Sequence, residues 1–269
     1  MSDNTKPIVV KIGGSTLGHA DTSFQDLVSL QEQGRIPVVV HGGGQTVSDW
    51  MKRQGLMPSF IRGLRVTDGP GLEVVVAVLA GLVNKQLVAA IHALGGRAVG
   101  LSGVDGGVLQ AAVADPELGY VGEIVSVDTD AVTALLDAGY IPVLAPVAAN
   151  VANDGANSSA MLNVNGDTAA GHLALALQAE RLVFLTDVEG VLDLSGRLIA
   201  RLTIREAGGL IASGTAAGGM IPKLEACITA LERVSVARIV DGRAPGALLN
   251  ALGDNGTGTW LAAQVTGKV

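Results

Sequence analysis

The chain has 269 residues, 48% hydrophobic and only 3% aromatic, so it can bury one large aliphatic core or two lobes sharing a sheet. Its net charge of -7, with no basic stripe or tail, argues against nucleic acid as a partner. A lone Cys227 excludes an intramolecular disulfide framework and fits a reducing, cytoplasmic setting, and the four histidines show no metal-ligand spacing.

Residues 7–12 form an apolar run broken only by Lys11, which reads as a buried strand stopping at Gly13 and Gly14. A cation there needs an anionic partner or an exposed tip. An amphipathic helix over 23–33 follows, then a second buried strand at 36–40. That strand runs into His41-Gly42-Gly43-Gly44 and a helix carrying Val47, Trp50 and Met51. Strand, glycine loop and helix form a recurrent anion-binding unit, because free N–H groups and the helix dipole point at one spot. Arg65 suits a paired grip on a carboxylate, or is an ordinary solvated arginine.

Residues 71–94 read as one long helix, apolar nearly all round at 74–83, which is either buried or at a subunit contact. The apolar run stops at Asn84-Lys85, too short to span a bilayer. A strand at 97–101, short strands and a hairpin on the sheet rim over 108–128, a helix at 130–138 and a strand at 141–146 come next. After a polar loop at 150–159, Asn163, Asn165 and Asp167 alternate with Leu162, Val164 and Gly166. This pattern predicts an extended segment with its polar side chains on one side, and a helix over 168–177 capped by Asp167. It is either a ligand-binding cluster or a polar loop with an ordinary cap.

The second half repeats the alternation: a strand at 182–186, a helix over 203–213 interrupted at Gly208-Gly209, and a helix from Pro222 to Val234. Pro222 suits a first helical turn, and an anionic ligand at that end would resolve the poor placement of Lys223 against the dipole. A strand at 237–240, a short helix at 246–252 and a closing strand at 258–262 complete the chain. The expected fold is a three-layer α/β/α sandwich around a mostly parallel central sheet, with ligands beyond the carboxyl ends of the strands.

The P-loop, nucleophile-elbow and zinc-protease signatures are absent. A dinucleotide-binding dehydrogenase would share the fold class, but its glycine fingerprint is not found. What remains is glycine loops, Lys11, Lys223, Asp167 and Arg65, the parts that phosphoryl transfer needs.

Six segments occur in order: Lys11-Ile-Gly-Gly, His41-Gly-Gly-Gly, Gly63-Leu-Arg-Val-Thr, Asn163-Val-Asn-Gly-Asp167, Leu185-Thr-Asp-Val-Glu-Gly and Gly219-Met-Ile-Pro-Lys223. Together they resemble the amino-acid kinase family, within it the branch acting on N-acetyl-L-glutamate, over about residues 7–263. The resemblance implies ATP-dependent phosphorylation of a side-chain carboxylate in arginine biosynthesis. It implies that Lys11 and Lys223 flank the moving phosphoryl group, with Asp167 orienting both. Gly43, Gly44, Arg65, Asn163 and Asn165 would serve the acceptor. Gly13, Gly14, Asp187, Val188, Gly190, Val191, Leu192, Gly218 and Met220 would surround ATP, whose Mg²⁺ is held largely by phosphate and water.

A catalytically silent amino-acid sensor on the same scaffold would be expected to lose Lys11, Asp167 or Lys223, and all three are present. Ser102-Gly-Val-Asp-Gly is also similar to lysine-pathway kinases acting on a carrier-linked amino acid, but those favour a basic docking surface. A single kinase domain over 1–269 is implied, with 1–160 as acceptor and dimer lobe and 161–269 as nucleotide lobe. Arginine-inhibited relatives resemble one another in an added N-terminal helix, whereas six residues precede the first strand here. A homodimer through residues 74–94, insensitive to arginine, is therefore expected.

Overall fold

The computed structural model describes residues 6–13, 22–152, 160–253 and 256–263. Gly14 and part of the polar loop at 150–159 lie outside these residues. In chain order, β1 (Ile8–Ile12), α1 (Ser23–Glu32), β2 (Pro37–His41) and α2 (Gly44–Arg53) lead to a small hairpin, β3 (Phe60–Ile61) and β4 (Leu64–Arg65). Then come α3 (Gly69–Val76), a π-helical stretch (Ala77–Val83), α4 (Asn84–Ala93), β5 (Ala98–Ser102), β6 (Leu109–Val113) and β7 (Gly122–Val127). Next are α5 (Asp130–Asp137), β8 (Ile141–Ala145), β9 (Val147–Asn150), β10 (Met161–Asn163) and α6 (Gly166–Ala176). The chain continues through β11 (Arg181–Thr186), β12 (Arg201–Thr203), α7 (Ile204–Ala212) and α8 (Met220–Ala230). It closes with β13 (Val236–Asp241), α9 (Ala247–Ala251) and β14 (Thr259–Ala262).

Among the described residues the main sheet has eight strands in the order β12-β14-β13-β11-β1-β2-β8-β5. Its pairs are parallel except β13 with β14, as expected for a largely parallel sheet. Strand alternation divides the core in two. Val9, Val38 and Val40 face α6 and α8, whereas Ile8, Val10 and Val39 face α1, α2 and the long helix. Helical layers thus cover both faces.

Four expectations are corrected. Residues 108–128 do not lie on the rim of the main sheet: β6 and β7 belong to a separate four-stranded sheet, β10-β9-β6-β7. The long helix is not uniformly α-helical, since Ala77–Val83 is π-helical within the continuous run Gly69–Ala93. That run is long and apolar enough to cross a membrane by length and composition, yet Val74, Val75, Val78 and Val83 pack in the core. Helix α7 passes through Gly208 and Gly209 without a break, and a capping box between Thr203 and Glu206 secures its start. Helix α8 ends at Ala230, short of Val234.

Candidate active site

Lys11 shares a face of β1 with Val9 and therefore points into the layer of α6 and α8. There its Nζ lies 2.6 Å from Asp167 Oδ1, while Lys223 Nζ donates to Asp167 Oδ2 at 3.0 Å. Helices α6 and α8 can cross this closely because Gly171 lacks a Cβ: one there would lie 2.7 Å from the Ala226 carbonyl oxygen. Gly171 and Ala226 each sit about one turn beyond Asp167 and Lys223, so the crossing sets the pair. Burial pushes the Asp167 carboxyl up, but Lys11 and Lys223 outweigh it and hold it below the ordinary carboxylate range.

Asp167 is not the cap of α6. Asn165 is, its Oδ1 accepting from Asp167 N at 2.8 Å and Thr168 N at 3.2 Å. The extended stretch stops at Asn163, so the three polar residues do not share one side of a strand. Capping leaves the Asp167 carboxylate free to face both lysines from the first turn.

The glycine loop after β2 is tied down through its carbonyls. His41 Nδ1 lies 2.7 Å from Gly42 O, Val47 N donates to Gly43 O at 3.0 Å, and Gly44 O accepts from Arg65 Nη2 at 2.7 Å and Ser48 Oγ at 3.0 Å. Among the described residues, neither the Gly43 nor the Gly44 N–H has a protein acceptor. Both glycines line a cavity of about 200 Å³ together with Arg65, Asn163, Asn165 and Gly166. Gly166 joins this cavity to the ion cluster, since a Cβ on it would lie 3.3 Å from His41 O and 3.6 Å from Lys11 Cε.

Arg65 is buried, stacked 4.8 Å from the Phe60 ring centroid and bonded to Ser48 Oγ at 2.7 Å. Burial pulls its guanidinium below the usual value, and among the described residues no carboxylate pairs with it. A buried cation lining a cavity without a counter-ion is a seat for an anion. Asn163 Nδ2 donates to Thr67 Oγ1 at 3.1 Å, and that hydroxyl donates to Arg65 O at 3.0 Å. That bond ties the Asn163 side chain down at the wall of the cavity. Thr67, Ser48 and Phe60 were not singled out in the sequence, although Thr67 closes the Gly63-Leu-Arg-Val-Thr segment.

The expected nucleotide residues lie outside this cavity, on neighbouring loops at the carboxyl edge. Asp187, Val188 and Leu192 are exposed beyond β11. Val191 is buried, with its N–H on Thr259 Oγ1 at 2.8 Å, and Gly190 packs against the same hydroxyl. Gly218 is exposed and Met220 half-buried at the start of α8. The Gly13 N–H is spent on Leu185 O at 3.0 Å, continuing the ladder between β1 and β11, so it is not a free phosphate donor. Among the described residues no group of three His, Cys, Asp or Glu could hold a metal ion.

The amino acid kinase family model matches residues 6–241. An acetylglutamate kinase of Dehalococcoides mccartyi is 46% identical over 257 residues, 96% of this chain and 94% of that protein. The crystal structure of smu.665 from Streptococcus mutans UA159 superposes with a TM-score of 0.82 at 28% identity, covering 96% of this chain and 99% of that one. N-acetylglutamate synthase from Neisseria gonorrhoeae, complexed with coenzyme A and N-acetyl-glutamate, gives a TM-score of 0.79 at 29% identity over 96% of this chain and 60% of that one. With the family model matching most of its length, the chain belongs to the amino acid kinase family.

Proposed function

We propose that the protein transfers the γ-phosphoryl group of ATP to the side-chain carboxylate of N-acetyl-L-glutamate, giving N-acetyl-L-glutamyl 5-phosphate and ADP in arginine biosynthesis. The observation that carries this reading is the Lys11–Asp167–Lys223 bridge beside the glycine cavity. The relatives named acetylglutamate kinase supply the acceptor.

The chemistry follows from charge. Donor and acceptor are both anions, so their approach is opposed until cations offset it. Lys11 and Lys223 supply two ammonium groups, and the Gly43 and Gly44 N–H groups add donors for the oxygens of the moving phosphoryl. Asp167 orients the lysines. A carboxylate oxygen attacks phosphorus already ionised, the bond from phosphorus to the bridging oxygen of ADP breaks, and no dedicated base is required. Arg65 grips the α-carboxylate of the acceptor, and the Asn163 amide oxygen receives its acetamide N–H. Asn165 supports both by capping α6.

ATP lies along the carboxyl edge over Asp187–Leu192 and Gly218–Lys223, entering with its Mg²⁺. One domain holds both substrates, the acceptor mainly toward residues 1–160 and the nucleotide toward 161–269. Two copies pair through the long helix in the cytoplasm.

The test is incubation with MgATP and N-acetylglutamate, N-acetylaminoadipate, glutamate or aspartate, with acyl phosphate trapped by hydroxylamine. Hydroxamate with N-acetylglutamate above the other acceptors is expected. None with N-acetylglutamate would overturn the reading.

A further inference from the structure

Resting on the kinase reading above, we infer that His41 is a positioning residue of the phosphoryl-transfer site. Its neutral ring, protonated on Nδ1 and set by Asn84, holds the Gly42 carbonyl and so aims the Gly43 N–H at the transferring group.

His41 ends β2, is fully buried, and points away from the lysine cluster toward the long helix, where Asn84 is also fully buried. The amide orientation of Asn84 is fixed by main-chain acceptors: its Nδ2 lies 2.8 Å from Val143 O and 3.3 Å from Leu101 O. An atom facing two carbonyl oxygens must be the NH₂. The same nitrogen is 3.2 Å from His41 Nε2; its two protons serve three acceptors, with Leu101 O and Nε2 sharing one, and because Gly42 O can only accept, the single ring proton of the neutral form sits on Nδ1 and Nε2 accepts. Lys85 Nζ on Asn84 Oδ1 at 2.9 Å completes the assignment. Nδ1–H then donates to Gly42 O at 2.7 Å.

In a trans peptide the C=O and the next N–H point in opposite directions. Holding Gly42 O back toward the ring therefore turns the Gly43 N–H the other way, and that group has no protein acceptor among the described residues. Three consecutive glycines have no side chain with which to fix themselves. Gly43 cannot acquire one, since its φ is +150° and a Cβ would lie 2.7 Å from Leu79 Cδ2. The anchor has to come from outside the loop. It runs from the main chain of β5 and β8 through Asn84 and His41 to Gly42. Burial, with Lys11 and Lys85 nearby, holds the imidazole neutral, against the Gly42 hydrogen bond. A protonated ring would face the Asn84 NH₂ donor to donor.

Two variants separate positioning from packing. Asn places an amide N–H where Nδ1 stands, whereas Gln places its amide near Nε2 and leaves Gly42 O without its donor. His41→Gln is expected to lower kcat about 100-fold, with both KM values within about threefold, as for a misplaced catalytic group. His41→Asn is expected to stay within about threefold of the native kcat, since it restores that donor. Equal turnover in both variants, with only the melting temperature changed, would overturn the inference.

If His41→Gln does not fold, ¹⁵N NMR of the histidine ring in the native enzyme decides. A neutral Nδ1–H ring from pH 8 to 5.5 is expected. An Nε2–H ring, or titration near the ordinary histidine value, would overturn it. A native enzyme forming no acyl phosphate would instead sink the kinase reading and leave the ring assignment standing on the spectrum.

Discussion

Thr67 accepts a hydrogen bond from Asn163 at 3.1 Å, although 96 positions separate them in the chain. The hydroxyl proton is committed to Arg65 O, so Thr67 can meet Asn163 only as an acceptor. Thr67→Val keeps the shape and removes this link. The KM for N-acetyl-L-glutamate should rise about tenfold, the scale of one hydrogen bond, with the KM for MgATP unchanged. An unchanged acceptor KM in steady-state assays would dismiss the relay.

Arg65 braces Gly44 O and, in the proposed reading, seats the acceptor. A lysine offers a point charge without the planar fork. Arg65→Lys should raise the acceptor KM by about 10- to 100-fold, mostly through lost binding shared by ground and transition states. A defect confined to ATP affinity, seen by varying each substrate in turn, would count against this role.

The outer side of the long helix carries exposed Glu73, Ala77 and Gly81, and a Cβ at Gly81 would meet nothing within 4 Å. Gly81→Arg should therefore leave the protomer intact while blocking close approach by a second copy. Light scattering is expected to give twice 27.1 kDa for the native protein and 27.1 kDa for the variant. A native monomer, or a variant that still dimerises, would refute this contact.

The buried His41 is held neutral, its pKa lowered from 6.5 to about 4, chiefly by burial and then by the nearby Lys11 and Lys85. The unfolded chain takes up a proton below the ordinary value, whereas the folded chain does so only below the lowered one. Stability from this group is complete above pH 6.5 and is lost as pH falls toward 4, by about 3 kcal/mol at most. Urea midpoints at pH 7 and 4.5 should differ more for the native enzyme than for His41→Asn. Equal differences would show that His41 does not contribute.

The alternation of strands and helices was legible because β1, β2, β8 and β11 are short aliphatic runs ended by turns or loops. The strands β9 and β12 are four and three residues long and owe their extension to pairing with β6 and β14, distant in the chain, so no local periodicity marks them. At the site, Lys11, Asp167 and Lys223 stand out as charges among apolar or small residues, and the structure brings them together. Which of Asn165 and Asp167 caps α6 was not legible, because either side chain can accept those N–H bonds and the backbone angles decide. Asn84 looked like the end of an apolar run. Its importance comes from the strand carbonyls and His41 ring that only the folded sheet presents to it.

The ammonium pair held by Asp167 is best tested by steady-state kinetics of Lys11→Met and Lys223→Met with MgATP and N-acetyl-L-glutamate. Both variants keep the aliphatic stem and should fold. Each is expected to lose about 10²- to 10³-fold in kcat, the scale for removing one transition-state donor, with modest changes in either KM. Near-native turnover in both folded variants would contradict the assignment of these two lysines to the moving phosphoryl group.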